Sequence, residues 1–302
     1  MKPFVVGLIG CGLWGRNILR ELKFLGAHVL VVDPQSDARE IAEQNGADGV
    51  FEKTGPLPEV DGFILSTPAS MHAIQIEELL HFGKPVFTEK PFVLTLEDAL
   101  RLKELPNTNL FVMHVWRYHP GVQALKNIIL ENRIGKLEMI RTRRCNWTSP
   151  RKDVDAIWTL LPHDISIFTE LTGQVPNAEF AKTEFCEGDP VGMLAVTDAG
   201  CSCIAEVSTR YPNKTREIRV HGSEGLAILK ADGALVECYS GNKASETPQK
   251  TELKVSNEPA LRLEIASFLE YLNGGARPKT TLVEAIEITR CLIELRTMAG
   301  LA

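Results

Sequence analysis

The chain of 302 residues contains no apolar run near the roughly 18 residues that a membrane-spanning helix needs. It has no basic excess either. Its 33 Lys and Arg face 39 Asp and Glu, for a net charge of −6, so no positive field exists to hold nucleic acid or an anionic membrane. Cysteine is sparse and unpatterned. The seven, at positions 11, 145, 186, 201, 203, 238 and 291, form no CxxC pair, which argues against a disulfide scaffold, a zinc framework or any bound metal. The opening MKPFVVGLIGCG lacks the small-residue cleavage pattern of a secretory leader, and with the free thiols this points to a reducing, cytoplasmic setting. What remains is 44% hydrophobic and 24% charged, the make-up of an ordinary globular protein. At roughly 150 residues per domain the length suggests two domains.

The pattern changes character near residue 120. Before it, short apolar runs (Phe4–Gly10, His28–Asp33, Phe63–Thr67, Pro85–Lys90, Leu110–Val115) alternate with helical periodicity. Trp14, Ile18, Leu22 and Leu25 share one helix face, and Gly26 stands where a helix-ending glycine belongs. Strand-helix alternation predicts a doubly wound parallel α/β sheet over 1–119. After a helix at about 120–131, strand-like segments follow one another: Leu137–Trp147, Ala178–Cys186, Met193–Thr197, Cys203–Arg210, Glu217–His221, Leu226–Lys230 and Ala234–Tyr239. One helix, Ile157–Leu171, interrupts them, and two more, at about 259–273 and 281–299, close the chain. Residues 120–302 are therefore predicted to form an α+β domain with a large, mostly antiparallel sheet.

Three constellations carry chemistry. Gly10-Cys11-Gly12-Leu13-Trp14-Gly15 follows a strand and opens a helix. Gly10 permits the tight turn, Gly12 lets the backbone approach a pyrophosphate, and Gly15 lets helix and strand pack closely. Asp33 ends the next strand, 18 residues after Gly15, where a carboxylate accepts from a ribose hydroxyl and repels a 2′-phosphate. The pattern indicates a dinucleotide, NAD rather than NADP, since no arginine follows Asp33 before Arg39; otherwise Asp33 caps the turn at Pro34. Ser66–His72 and Thr88-Glu89-Lys90-Pro91 both fall at strand C-termini, where ligands of open α/β sheets bind. A lysine there can donate to a substrate hydroxyl or carbonyl oxygen. Pro162-His163-Asp164 lies near the start of the helix at 157–171, placing an imidazole that titrates near neutral pH in its first turn. Such a histidine is as readily structural as catalytic.

Taken in order, GCGLWG, STPASMH, GKPVFTEKP and WTLLPHDIS resemble the glucose-fructose oxidoreductase/inositol dehydrogenase (Gfo/Idh/MocA) family. The likeness runs on through VHGSEGLAIL and ALRLEIASFLEYLNGGARP. It implies a Rossmann domain joined to a large-sheet domain, NAD(P), and hydride transfer between a sugar or cyclitol carbon and nicotinamide C4. It assigns catalysis to Lys90 and His163, and cofactor contacts to Gly10, Gly12, Leu13, Trp14, Gly15, Asp33, Thr67, Pro68, His72, Glu89 and Lys90. Where the family has an aspartate four residues before the histidine, this chain has Thr159. That feature, with Arg151-Lys152-Asp153-Val154, resembles the branch of UDP-N-acetylglucosamine 3-dehydrogenases, so the expected substrate is a nucleotide-sugar.

Arg117, Tyr118, Arg151 and Thr159 are candidates for holding that substrate. The basic cluster Arg141, Arg143, Arg144 and Arg151 suits a diphosphate, or is simply a solvated face. A dehydrogenase or reductase of a free sugar, cyclitol or other small carbonyl compound is the rival enzyme, and a non-enzymatic NAD-binding regulator the rival from another class. The alternating strands at 193–197 and 203–210 would leave an apolar outer sheet face, consistent with a homo-oligomer.

Overall fold

The computed structural model describes residues 3–55, 57–106, 109–147, 153–230, 234–241 and 247–301. The chain packs as two compact units: Met1–Val115 with Pro259–Thr289, and Trp116–Glu258 with Arg290–Ala302.

The first unit opens with β1 (Val5–Ile9), α1 (Gly15–Phe24), β2 (His28–Val32), α2 (Ser36–Gln44), β3 (Gly49–Phe51) and β4 (Gly62–Leu65). It continues with α3 (His72–Leu80), β5 (Val86–Thr88), α4 (Leu96–Lys103) and β6 (Leu110–Val112). The six strands pair in parallel in the order β3-β2-β1-β4-β5-β6, the Rossmann arrangement, with its switch point between β1 and β4. Strand alternation divides the core. Val6, Leu8, Val29, Val31, Ile64 and Phe87 meet Ile18 and Leu22 of α1 on one face. Ile9, Leu30, Val32, Phe63, Leu65 and Val86 meet Ile76 and Leu79 of α3 and Ala99 and Leu102 of α4 on the other. A sheet covered on both faces requires strands that are apolar throughout, as these are.

The second unit comprises α5 (Pro120–Leu130), β7 (Leu137–Trp147), α6 (Ala156–Thr172), β8 (Asn177–Cys186), β9 (Asp189–Asp198), β10 (Ser202–Ser208) and β11 (Arg210–Gly222). Three more strands follow: β12 (Gly225–Leu229), β13 (Leu235–Ser240) and β14 (Gln249–Lys254). They form an eight-stranded sheet in the order β14-β13-β12-β11-β7-β10-β9-β8, antiparallel throughout except for the parallel pair β7 and β10. Its inner face carries Ile140, Cys203, Ala205, Val207, Ile218 and Val220, all buried, with α5 and α6 packed against the strands. Its outer face carries Arg141 and Arg143 on β7 beside Phe180, Leu194 and Ile204.

Helices α7 (Ala260–Leu272) and α8 (Leu282–Met298) close the chain. Leu261, Ile265, Phe268 and Leu269 of α7 join the α1-side core of the first unit, and Leu282, Ala285 and Ile286 of α8 join the opposite core. The reading from sequence ran the second domain from 120 to 302; residues 259–289 instead belong to the first unit. The physical reason is apolar area, since fully burying each such side chain is worth roughly 1.5–3 kcal/mol. β3 and β14 were not expected. β3 has only three residues, and β14, QKTELK, is polar and mostly exposed. Among the described residues no helix is long and apolar enough to cross a membrane. All seven cysteines are free thiols.

Candidate active site

Sheet register builds the candidate cofactor edge of the first unit. Ile9 lies opposite Val32 and Leu65, Leu65 opposite Thr88, and Thr88 opposite Val112, so the carboxyl ends of β2, β1, β4, β5 and β6 line up. The residues that leave this edge are Asp33, Gly10, Ser66-Thr67 and Glu89-Lys90. Gly10 has φ +87°, and a Cβ there would stand 2.7 Å from the Ser66 carbonyl oxygen, so only glycine makes this turn. A Cβ on Gly15 would collide with the Gly10 carbonyl, whereas one on Gly12 would meet nothing within 4 Å. Gly12 is thus the open approach. Among the described residues none accepts from the backbone N–H of Gly12, Leu13 or Trp14. Unspent donors at the start of α1 suit a pyrophosphate.

Asp33 is buried, and its carboxylate accepts from the backbone N–H of Cys11 at 2.8 Å and of Gln35 at 2.9 Å. Each carboxylate oxygen keeps a second lone pair for a ribose hydroxyl. Burial, reinforced by the Asp33 charge, pushes the Cys11 thiol up, so Cys11 stays protonated beneath the turn. Arg39, on the first turn of α2, donates to the Asp33 and Pro34 carbonyl oxygens at 2.7 and 2.9 Å.

Several residues expected to touch cofactor also hold one another. The Trp14 indole N–H donates to Glu89 Oε1, tying the glycine turn to the end of β5. Glu89 is buried, and its Oε2 accepts from the Lys90 backbone N–H at 3.1 Å. Thr67 donates its hydroxyl to Gln75 Oε1. His72 is fully buried, with Nε2 3.0 Å from the Thr67 carbonyl and Nδ1 2.9 Å from that of Pro91. A ring enclosed in this way joins the turn after β4 to the segment that follows Lys90 and has no surface left for a ligand. Leu13 is exposed and Trp14 partly so, Pro68 stands exposed at the turn after β4, and Lys90 is half-buried.

In the second unit, α6 carries the predicted histidine. Asp155 caps α6, accepting from Ile157 and Trp158 N–H at 3.0 Å each. The helix therefore begins before Pro162, which lies inside it, and His163 sits in its second turn rather than its first. From Leu160 to Leu171 every residue is buried except His163, which is half-exposed. Thr159, one turn earlier, donates its hydroxyl to the Asp155 carbonyl at 2.9 Å, and Ser166 donates to that of His163 at 2.8 Å. Asp164 is fully buried and forms a two-point ion pair with Arg144, at 2.8 and 3.3 Å. The Arg144 guanidinium lies 4.4 Å over the Trp116 ring, which stacks on His119 at 4.8 Å. Burial, with Arg144 adding to it, lowers the His119 pKa, and its Nδ1 accepts from Gly121 N–H at 3.0 Å.

Arg117 and Tyr118 are both buried. Arg117 donates Nε to Glu170 at 2.9 Å, and Lys126 reaches the other Glu170 oxygen at 2.8 Å; a guanidinium held by a buried carboxylate is structural in this role. The basic cluster also divides, because successive strand residues face opposite ways. Arg143 pairs with Glu206 at 3.1 Å on the outer face, and Arg141 shares that face, whereas Arg144 is internal. Arg151 lies outside the described residues. Arg216 on β11 was not anticipated: it lies opposite Arg144, a neighbour that only strand pairing reveals. Among the described residues no cluster of His, Cys, Asp and Glu is able to hold a metal.

Residues 4–115 match the family described as "Oxidoreductase family, NAD-binding Rossmann fold", and residues 122–228 match the "GFO/IDH/MocA C-terminal domain". A glycine turn at the switch point of a 3-2-1-4-5-6 sheet defines a dinucleotide-binding oxidoreductase fold. The chain belongs to the Gfo/Idh/MocA oxidoreductase family, and NAD is its cofactor. It is 29% identical over 295 residues to an inositol 2-dehydrogenase of Burkholderia cenocepacia (strain HI2424), covering 90% of this chain and 86% of the relative. Among solved structures, the UDP-N-acetylglucosamine 3-dehydrogenase GnnA from Acidithiobacillus ferrooxidans superposes with TM-score 0.86 at 21% identity, over 99% of this chain and 98% of the other. An oxidoreductase from Agrobacterium radiobacter, solved with NAD+, L-tartaric acid and magnesium, gives 0.83 at 18% identity, over 99% and 97%.

Proposed function

We propose that this chain is an NAD-dependent dehydrogenase acting on the CH–OH carbon of a sugar, with a nucleotide-sugar as its substrate. The observation that carries the reading is Lys90, whose backbone N–H is held by Glu89 Oε2 at the same sheet edge as the glycine turn. When bound, NAD supplies a hydride acceptor at nicotinamide C4. The N–H groups of Gly12, Leu13 and Trp14 bind the pyrophosphate, and Asp33 accepts from the adenosine ribose. Lys90 polarises the substrate oxygen, and His163, the half-open position on an otherwise buried stretch of α6, accepts the proton. Such proton transfer contributes roughly 10²–10⁴-fold, and positioning of the carbon supplies most of the remainder. Thr159, one turn from His163, lies on the same side of the helix for substrate contact.

A second reading, oxidation of a free cyclitol or sugar, draws on the Burkholderia relative, which is named an inositol 2-dehydrogenase. Screening purified protein with NAD against UDP-sugars, myo-inositol and free hexoses, with NADH absorbance as the readout, tests both. Turnover of inositol or glucose without turnover of UDP-sugars overturns the nucleotide-sugar preference, and no turnover of any of them overturns the reading.

A further inference from the structure

On the inner face of the second unit's sheet, two neighbouring arginines stand with one carboxylate paired to them among the described residues. Arg144 and Arg216 lie opposite each other on β7 and β11. Asp164 occupies Arg144 with two hydrogen bonds. Among the described residues, the acceptors of Arg216 are neutral. Its Nη1 donates to the carbonyl oxygens of Cys145 at 2.9 Å and Thr215 at 2.8 Å, and its Nη2 to Asn146 Oδ1 at 3.2 Å. No carboxylate among the described residues forms an ion pair with it. Two guanidinium cations and one carboxylate leave an excess charge of about +1, because arginine does not deprotonate in proteins.

That excess sits where charge is costly to leave uncompensated. Arg216 is half-buried, and burial followed by the nearby Arg144 cation lowers its pKa, with Asp164 acting in opposition. Partly desolvated cations are normally paired. The three bonds to neutral oxygens fix the guanidinium plane without neutralising it. With its Oδ1 committed to Arg216, Asn146 keeps its amide NH2 as a further donor. A fixed planar fork beside an amide donor is geometry that binds a carboxylate or phosphate.

We propose that Arg216, with Asn146 beside it, is an anion subsite that seats a phosphate or carboxylate group of the substrate. The proposal rests on the dehydrogenase reading above and narrows it to substrates carrying an oxyanion. It also moves the anion contact from Arg141 and Arg143, on the outer face, to the inner face.

Titration calorimetry of the full chain with NAD present, using UDP and D-glucuronate as separate probes, tests it and distinguishes phosphate from carboxylate. The expected result is binding of at least one probe, weakened about tenfold or more in Arg216→Gln, as loss of a charge-assisted hydrogen bond predicts. Failure of the wild type to bind either probe, or equal affinity in both proteins, overturns the subsite. If Arg216→Gln does not fold, the wild-type KM decides: added NaCl raises it for the anionic substrate and not for a neutral sugar, and equal salt effects overturn the proposal. Anion binding without NADH formation from any sugar retains the subsite and removes the dehydrogenase reading. Turnover of neutral sugars with no anion effect does the reverse.

Discussion

Asp164 and Arg144 neutralise each other through two hydrogen bonds, with both side chains almost wholly buried. Removing one partner leaves the other charge stranded, at a cost of roughly 3–5 kcal/mol. Asp164→Asn should therefore lower the unfolding free energy by about that amount, measured by urea denaturation. A loss below ~1 kcal/mol would show that water reaches Arg144.

Lys90→Ala should reduce turnover at least ~100-fold, the low end for a general acid–base group, while NAD affinity, measured by fluorescence quenching, stays within a few-fold. Near-normal turnover would remove Lys90 from the chemistry.

Asp33→Ala touches cofactor and protein alike, because the carboxylate holds the N–H of Cys11 and of Gln35. Weaker NAD binding and a smaller preference over NADP are expected, together with a lower Tm. Unchanged cofactor preference in a destabilised protein would leave Asp33 as a turn cap alone.

Glu237 is flanked by Lys230 at 3.0 Å and Lys250 at 2.8 Å, with the Tyr239 hydroxyl also donating to it. These hydrogen bonds, Lys250 first, hold its carboxyl down at about 2 against 4.5 for the ordinary group. A depressed folded-state pKa gives stability that is fully present above about 4.5 and is lost as pH falls toward 2. The Tm difference between wild type and Glu237→Gln should shrink over that window, and a constant difference from pH 7 to 3 would refute the linkage.

On the outer sheet face, Leu194 and Phe180 are 44% and 52% exposed. Leu194→Asp should lower the molecular mass seen by light scattering if this face joins copies of the chain. An unchanged mass would place any self-association elsewhere.

The first sheet was readable because its strands are apolar runs punctuated by glycine and proline, and Gly10, Gly12, Gly15 and Asp33 lie within one continuous segment. Lys90 and His163 are singled out by their local motifs, and their catalytic roles are proposed. Tertiary pairing was not. His72 reads in sequence as a ligand contact, yet its ring is spent between the Thr67 and Pro91 carbonyls. Arg141 and Arg144 read as one cluster, yet the pleat sends them to opposite faces. Arg216 is 72 positions from its neighbour Arg144, and no local pattern reports such a partner. The helix at 157–171 was legible, but His163, read there as a first-turn residue, lies further along α6, which the Asp155 cap starts at Ala156.

The return of α7 to the first unit sets an order of events during synthesis. The apolar surface that Leu261, Ile265, Phe268 and Leu269 cover must wait, unsealed, until the ribosome has made the whole intervening sheet. A fragment ending at residue 115 would expose that surface permanently and invite aggregation, so a stable nucleotide-binding half needs the late helix supplied in cis or as a separate peptide.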